Sequence, residues 1–474
     1  MASTDPLHQL NLSEVSALIE QGEVSPVEVT ESLLERIETV NKVVNAFLTV
    51  TGEKALAAAR AAEMAISAGY FLGPLHGVPI ALKDNISSRG DPAAAGSKIR
   101  SAYVPDEDAT VAARLRHAGA IFLGKLNMHE FAYGVTTNNP HYGPCRNPWS
   151  TDRSPGGSSG GSGAAVAARL CYGALGTDTG CSVRLPAAFN GITGIRPSIG
   201  RVSNHGVVAL GWTLDTVGPM TRSVEDCAIM LEAMAGFDAR DSQTANVPVP
   251  RYRDRLDRGL EGLRLGIIKD LSLVGLQEDV GKALETALEV LREGGASVVE
   301  TAISDLDPTI YISALLTVDI AEPAAFHAEW LRTRAEDYGE DVRTLLELGE
   351  MYLASHYIQA QRYRTFVGDQ FREVLEDMDA IVTPTVPFTA PLVGETEVEL
   401  ATGERMGIIP AVMRYNALPP LTGMPALSIP CGFDRKGLPI GMQLIGKAFD
   451  EAMLFRVGHS YQEITDWHRR APEV

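Results

Sequence analysis

The strongest constraint on the fold is a stretch rich in glycine and serine, Ser154–Gly163, which reads SPGGSSGGSG. A run of small side chains follows from Ala164 to Gly176, and a second glycine-containing loop, Thr177–Arg184, comes next. Glycine adopts conformations closed to other residues and lets the backbone approach a ligand closely. Such loops expose main-chain N–H groups, which can hold an anion or a developing oxyanion. The stretch therefore predicts a site for an anion or an oxyanion. The side chains of the adjoining segment Ala164–Gly176 are too small for an ordinary surface helix.

Other interpretations of this stretch explain less of it. A Gly/Ser run often forms a flexible linker, but apolar and small residues continue on both sides here. A phosphate loop would need Gly-Lys-Ser/Thr or Gly-x-Gly-x-x-Gly, and neither pattern can be read in the stretch. Gly156–Gly160 fits the nucleophile elbow Gly-x-Ser-x-Gly, but that elbow follows a buried strand, and residues 147–155 are turn-rich.

A second feature is a lysine that follows a short apolar strand, predicted over Leu75–Leu82. An isolated lysine at a strand end ordinarily reaches water. Lys83 is not isolated, because its segment GVPIALKD occurs in the same chain as PGGSSGGS and GTDTGCSVRLP.

This combination resembles the amidase signature family of serine hydrolases, which includes the glutaminase components of glutamyl-tRNA amidotransferases. The similarity extends from Leu12 to Gly446. It implies an α/β fold in which a central mixed β-sheet is covered by helices on both faces. It also implies one domain over residues 1–474, with a signature core at about 70–235 and a helical substrate cap at about 307–378.

The resemblance assigns three catalytic positions. Ser182 matches the nucleophile, Lys83 matches the base, and Ser158 matches the serine that bridges them and follows a cis peptide bond in the family. The chemistry agrees, because a serine hydroxyl is a weak nucleophile that needs an adjacent base. A lysine can be that base when burial favours its neutral form.

The resemblance also assigns the groups around the nucleophile. The N–H groups of Thr179, Gly180, Cys181 and Ser182 match the oxyanion hole, with cysteine at a position where glycine is commonest. The N–H donor survives that change, and the added Cβ is expected to be accepted as at any small-residue position. Asp178 and Arg184 match positions that keep this loop rigid.

Substrate contacts are predicted in two further regions. Phe131, Ala132 and Tyr133 resemble a loop that borders the active site, and the nearby His129 is expected to be hydrogen-bonded only. Aromatic side chains of the cap either line an apolar pocket or pack the cap itself; they are Tyr311, Phe326, Trp330, Tyr338, Tyr352 and Tyr357.

Composition narrows the functional classes. The net charge of −19 argues against direct binding of nucleic acid or an anionic membrane. The cysteines are odd in number and scattered, so we expect reduced thiols, no metal and no cofactor. With no signal-like N-terminus and no uninterrupted membrane-length apolar run, we expect a cytoplasmic protein.

These observations predict an amidohydrolase that cleaves a small-molecule amide, ester or carbamate through an acyl-enzyme on Ser182. The first alternative is the glutaminase component of a tRNA-dependent amidotransferase. That component has a cap arginine and a later aspartate which grip the amino acid, and Leu345 and Tyr415–Asn416 stand near those positions here. The second alternative is a non-catalytic binding protein. The sequence leaves substrate identity, enantioselectivity and homo-oligomer formation open.

Overall fold

The structure is a computed structural model that describes residues 6–401 and 403–474, without the side chain of Asp270. Strands occur throughout the chain: β1 (Phe47–Val50), β2 (Pro79–Lys83), β3 (Ile121–Leu126), β4 (Asn138–Asn139), β5 (Gly143–Pro144), β6 (Gly173–Asp178), β7 (Thr193–Arg196), β8 (Thr216–Thr221), β9 (Arg264–Ile268), β10 (Ser297–Thr301), β11 (Ala380–Pro384), β12 (Glu397–Glu399), β13 (Arg405–Gly407), β14 (Ala426–Phe433) and β15 (Pro439–Ile445).

Helices alternate with the strands. They are α1 (Leu12–Glu20), α2 (Pro26–Val44), α3 (Gly52–Ser67), α4 (Thr110–His117), α5 (Gly160–Ala167), α6 (Arg184–Asn190), α7 (Val224–Met234), α8 (Lys269–Ser272), α9 (Glu278–Glu293), α10 (Pro308–Arg334), α11 (Glu340–Gly349), α12 (Ala354–Glu376), α13 (Ile408–Asn416), α14 (Leu418–Thr422) and α15 (Glu451–Ile464).

Within the described residues, eleven strands form one sheet in the order β1-β3-β2-β6-β8-β7-β14-β15-β11-β9-β10. Strand β2 pairs parallel with β3 and β6, whereas β8 pairs antiparallel with β6 and β7. The sheet is therefore mixed, and helices cover both of its faces, which confirms the predicted α/β class.

The sheet order brings the sequence motifs together. Parallel pairing of β2 with β6 places Ala81 opposite Ala174 and Leu82 opposite Leu175. Since both strands run in the same direction, Lys83 at the end of β2 and the loop after Asp178 emerge at the same edge. Helix α5, buried along its whole length, packs against both strands.

The small side chains of α5 permit this close packing. A Cβ on Gly161 would lie 2.3 Å from the Asn127 carbonyl oxygen and 2.7 Å from that of Ala46. A side chain of any size would therefore push the helix away from the sheet edge.

The region predicted as the cap, residues 307–378, contains helices α10, α11 and α12. Helix α10 is long and apolar enough to cross a membrane by length and composition, over Pro308–Asp337. It carries Pro323 and the buried Glu322, and it packs against α11 and α12. These contacts are typical of a core helix, because α10 packs within a layer formed with α11 and α12.

Two predicted segment boundaries are wrong. The strand predicted over Leu75–Leu82 begins only at Pro79 and includes Lys83, because the chain turns around Gly77, which has φ +82°. The sequence also predicts a β-rich segment from Leu421 to Pro430, but the chain there starts within helix α14, whose prolines lie at its beginning, and becomes a strand only at Ala426.

The packing of α5 predicts opposite effects for the same substitution at two helical glycines. Gly161→Ala should lower the free energy of unfolding by about 1–3 kcal/mol through overpacking. Gly281→Ala, on α9 with no atom within 4 Å of its new Cβ, should raise it by up to about 1 kcal/mol. Guanidinium denaturation midpoints measure both effects, and equal shifts would contradict the packing argument.

Candidate active site

Lys83, the candidate base, is fully buried. Its Nζ lies 2.7 Å from Ser158 Oγ and 2.8 Å from Thr177 Oγ1. Burial lowers the pKa of Lys83 to about 7, although the carboxylates of Asp215 and Asp178 act in the opposite direction. An amine in this state can take up and return a proton near neutral pH.

Ser158 is held beside this lysine by its backbone. It lies just before α5 and is fully buried, and the Gly157–Ser158 peptide bond is cis. The His129 N–H donates to the Ser158 carbonyl at 3.1 Å. The hydroxyl of Ser158 is thus fixed on Lys83 and can relay a proton between it and a neighbouring group.

The loop Thr179–Ser182 follows β6 and faces a cavity. Within the described part of the chain, its main-chain N–H groups donate hydrogen bonds to no protein atom. Its carbonyl groups are engaged on the other side, where Arg184 Nη2 donates to the Gly180 carbonyl at 2.6 Å. The N–H groups are therefore available to a ligand, as an oxyanion hole requires.

Asp178 anchors this loop through two buried arginines. Arg184 Nη2 donates to Asp178 Oδ1 at 2.9 Å and Arg184 Nε donates to Oδ2 at 3.0 Å, while Arg196 Nη1 donates to Oδ1 at 3.1 Å. Burial opposes ionisation of Asp178, but the two guanidinium groups outweigh it and hold the pKa of that carboxyl well below its usual range. The carboxylate also accepts from the Val183 N–H at 3.1 Å. These bonds fix both ends of the turn that presents Ser182.

Cys181 fits this turn without a special conformation. Its φ is not in the left-handed region, so a Cβ is compatible with its backbone. Its thiol is buried near the Gly157 carbonyl, and burial raises its pKa. A thiol in this state is a poor nucleophile, and the residue contributes its N–H.

Asp215 holds the same loop at Thr179 and lies outside the lining of the cavity that contains Ser182. Its carboxylate accepts from Thr179 Oγ1 at 2.5 Å, from the Leu210 N–H at 2.8 Å and from the Gly211 N–H at 3.2 Å. Burial raises its pKa to about 6. Asp215 is therefore ionised at neutral pH and carries negative charge close to Lys83.

The cavity in front of Ser182 has a volume of about 150 Å³. Its lining comes from the oxyanion loop, the segment after β3, the cap and α13: Ala132, Tyr133, Gly134, Val135, Thr179, Gly180, Cys181, Ser182, Leu210, Leu316, Asp319, Ile320, Leu345, Ile409 and Met413. Most of these side chains are apolar and one, Asp319, is acidic, so the cavity fits a small group without negative charge.

The structure places Ala132 and Tyr133 in the cavity wall but not Phe131. Phe131 has φ 50°, and its ring packs beneath the cap against His327, Trp330 and Tyr338. The cap aromatics named from the sequence are likewise absent from the described lining, and one of them, Phe326, is exposed. His129 Nε2 lies 2.9 Å from Asp341 Oδ2 and does not line the cavity either.

Several site residues could not be assigned from the sequence. Thr177 was part of the signature, but its contact with Lys83 depends on the pairing of β2 with β6. Asp215 lies directly before β8, outside every motif that the sequence analysis used. One feature of the sequence could have pointed to Asp319 as a site residue, because it is an acidic residue inside an otherwise apolar part of α10. From the segment near Tyr415–Asn416, the side chain that reaches the cavity is Met413, because Tyr415 and Asn416 bond to the protein interior.

A mixed sheet that joins a buried lysine–serine pair to a glycine-rich oxyanion loop is the architecture of an amidase-type serine hydrolase. The sequence model of the Amidase family matches residues 28–455, and the chain belongs to this family. Its established chemistry is therefore hydrolysis of amide C–N bonds.

Relatives cover the chain almost completely. It is 42% identical to the GatA-type component of the glutamyl-tRNA(Gln) amidotransferase of Halorhodospira halophila, over 98% of this chain and 99% of that protein. The solved structure of the corresponding Thermotoga maritima component is 32% identical with a TM-score of 0.82, over 98% of this chain and 96% of that chain. The peptide amidase of Stenotrophomonas maltophilia is 30% identical with a TM-score of 0.87, over 99% of both chains. Among the described residues, no group of three or more His, Cys, Asp or Glu could hold a metal ion.

The first prediction from this site concerns pH. Since Lys83 must be neutral to accept a proton, kcat/KM should fall as the pH drops below about 7. Asp215→Asn removes a charge that raises the pKa of Lys83, so this acid limb should move to lower pH. Asp257→Asn removes a fully exposed carboxylate and serves as the control. If the acid limb of the kcat/KM profile stays at the same pH in Asp215→Asn, the electrostatic coupling between Asp215 and Lys83 is contradicted.

The second prediction concerns the loop anchor. Asp178→Asn leaves Arg184 and Arg196 buried without their anion, which should cost about 3–5 kcal/mol of the free energy of unfolding. Asp108→Asn breaks a pair with the partly exposed Arg116 and should cost about 1 kcal/mol or less. Denaturant titration compares the two, and similar costs would show that Asp178 does not anchor the loop.

Proposed function

We propose that this chain is a free-standing hydrolase of small linear carboxamides which acts through an acyl-enzyme on Ser182. The observation that carries the proposal is the fully buried Lys83 in contact with Ser158, next to a cavity that exposes Ser182 and four N–H groups without protein acceptors among the described residues. Each part of an acyl-transfer site thus has a residue available for it. The same tetrahedral chemistry extends to esters and carbamates.

In this mechanism Ser182 Oγ attacks the carbonyl carbon and forms the new C–O bond. Its proton passes to Ser158 Oγ, whose own proton moves to Lys83 Nζ. The N–H groups of residues 179–182 stabilise the oxyanion, each contributing about 3–4 kcal/mol. Collapse of the intermediate breaks the C–N bond, and Lys83 returns a proton through Ser158 to the leaving nitrogen. Water then repeats the sequence on the ester and releases the acid.

The proposal includes the surroundings of the site. Asp178, Arg184 and Asp215 position the oxyanion loop, and Ala132 and Tyr133 contact the substrate. We propose one amidase domain over residues 1–474 with a core at about 70–235 and a cap at about 307–378, working in the cytoplasm. A homo-oligomer is compatible with this proposal, which needs no nucleic acid and no membrane.

The second candidate is the glutaminase component of a tRNA-dependent amidotransferase, which the similarity over nearly the full length to such proteins favours. Free glutamine carries a carboxylate that needs a cationic partner. The described lining of the cavity contains no arginine, lysine or histidine, and Leu345 and Met413 stand in the wall instead. This chemistry favours the free-standing hydrolase.

The test is ammonia release by the purified chain from short aliphatic amides, with free glutamine, an aryl amide and an aryl carbamate beside them. Ser182→Ala and Lys83→Ala should each lower turnover by about 10⁴-fold or more. Ser162→Ala is the matched control, because this buried serine donates to the Leu175 carbonyl and lies outside the site.

Each outcome has a consequence. Turnover of aliphatic amides that requires Ser182 supports the proposal. Hydrolysis of glutamine alone, or turnover only after a partner protein is added, favours the amidotransferase component. Full activity of Ser182→Ala would contradict both candidates.

A further inference from the structure

One carboxyl group in the cavity is left without a hydrogen-bond donor. Asp319 lies on α10 and lines the cavity together with Ser182. Its Oδ1 is inaccessible to solvent, and it has no hydrogen-bond partner within the described residues. Buried carboxyl oxygens almost always have a donor, so this one calls for an explanation.

A second polar atom of the same wall is also buried without a hydrogen-bond partner within the described residues. It is the hydroxyl oxygen of Tyr133, whose side chain lines the same cavity. The other side chains of the cap and of α13 in this wall are apolar, namely Leu316, Ile320, Leu345, Ile409 and Met413. Two unpaired polar groups on an otherwise apolar wall form a small polar subsite.

The electrostatic surroundings of this subsite are acidic. The carboxylates of Asp215 and Glu322 act on Asp319, and burial together with these charges raises its pKa well above the usual range. Both neighbouring carboxylates have hydrogen-bond donors of their own. Asp215 accepts from Thr179 Oγ1, and Glu322 accepts from Thr213 Oγ1 and Tyr357 Oη. In the described lining, no cationic side chain balances Asp319.

We propose that Asp319 binds a primary ammonium group on the acyl portion of the substrate, in a wall that also carries the unpaired Tyr133 hydroxyl. An ammonium group there favours the ionised form of Asp319 and donates to its carboxylate. This inference rests on the proposed function and specifies its substrates as amides of amino acids and of ω-amino acids, without a free carboxylate.

The size of the cavity limits the acyl group. A volume of about 150 Å³ equals roughly five water molecules. The acyl group that fits is therefore a short chain of a few non-hydrogen atoms which ends in, or carries, the ammonium group. Asp319 acts as a specificity-determining residue, and the reacting atoms remain with Ser182, Ser158 and Lys83.

The test uses pairs of amides that differ only in the exchange of an ammonium for a methyl group. They are glycinamide with propionamide, β-alaninamide with butyramide, and 4-aminobutanamide with valeramide. For wild type at pH 8, kcat/KM should be about 10- to 100-fold higher for the ammonium member of at least one pair, the size of a hydrogen bond to a charged group.

Asp319→Asn keeps the size of the side chain and removes the charge, so the ratio within that pair should fall to about one or below. Asp319→Leu should reverse it. Glu329→Gln removes an exposed charge from the same helix and should leave the ratio as in wild type. Folding of each variant is checked by stoichiometric labelling of Ser182 with a fluorophosphonate.

Wild-type hydrolysis of all pairs without preference for the ammonium member overturns this inference and leaves the proposed function standing. An unchanged preference in both Asp319 variants also overturns it. If wild type cleaves no amide in the set, the proposed function itself fails, and this inference fails with it.

Discussion

The structure of the site depends on the removal of one lysine from water. Lys83 ends a buried strand, and its Nζ contacts hydroxyl groups of Ser158 and Thr177 rather than a carboxylate. Desolvation disfavours the ammonium form, while Asp215 and Asp178 limit the effect by their charge. These opposing effects leave Lys83 with a pKa of about 7, so its amine can accept a proton near neutral pH. A direct ion pair to Lys83 would abolish this property, which explains why the nearest acidic groups bind other partners.

The two carboxylates near the lysine have separate structural tasks. Asp178 is committed to Arg184 and Arg196, and Asp215 holds Thr179 and the 210–211 turn. These bonds hold the loop, whose residues 179–182 line the cavity. If the loop is the oxyanion hole that we propose, the same carboxylates both act on the pKa of Lys83 and hold that hole in place.

The candidate catalytic residues could be predicted from local sequence motifs, whereas the residues of the cavity wall are brought together by long-range packing. The signature residues Lys83, Ser158 and Ser182 carry recognisable neighbours in sequence, as do Asp178 and Arg184. The cavity wall draws on α10, α11 and α13, whose side chains meet only through tertiary packing, so Asp319 and Met413 were not predicted. Phe131 lies outside the cavity lining, because its ring packs against His327 in a stretch where both Phe131 and Ala132 adopt left-handed φ.

The measurement that tests this account most directly is an NMR titration of the side-chain Cε of Lys83 in protein labelled with ¹³C-lysine. Lys83→Met identifies its resonance, and Lys125, buried against the backbone carbonyls of Asp84 and Ile86, is the internal comparison. The account predicts that Lys83 titrates with a midpoint near 7. A Lys83 that stays protonated above pH 9 would contradict the claim that burial makes it the base.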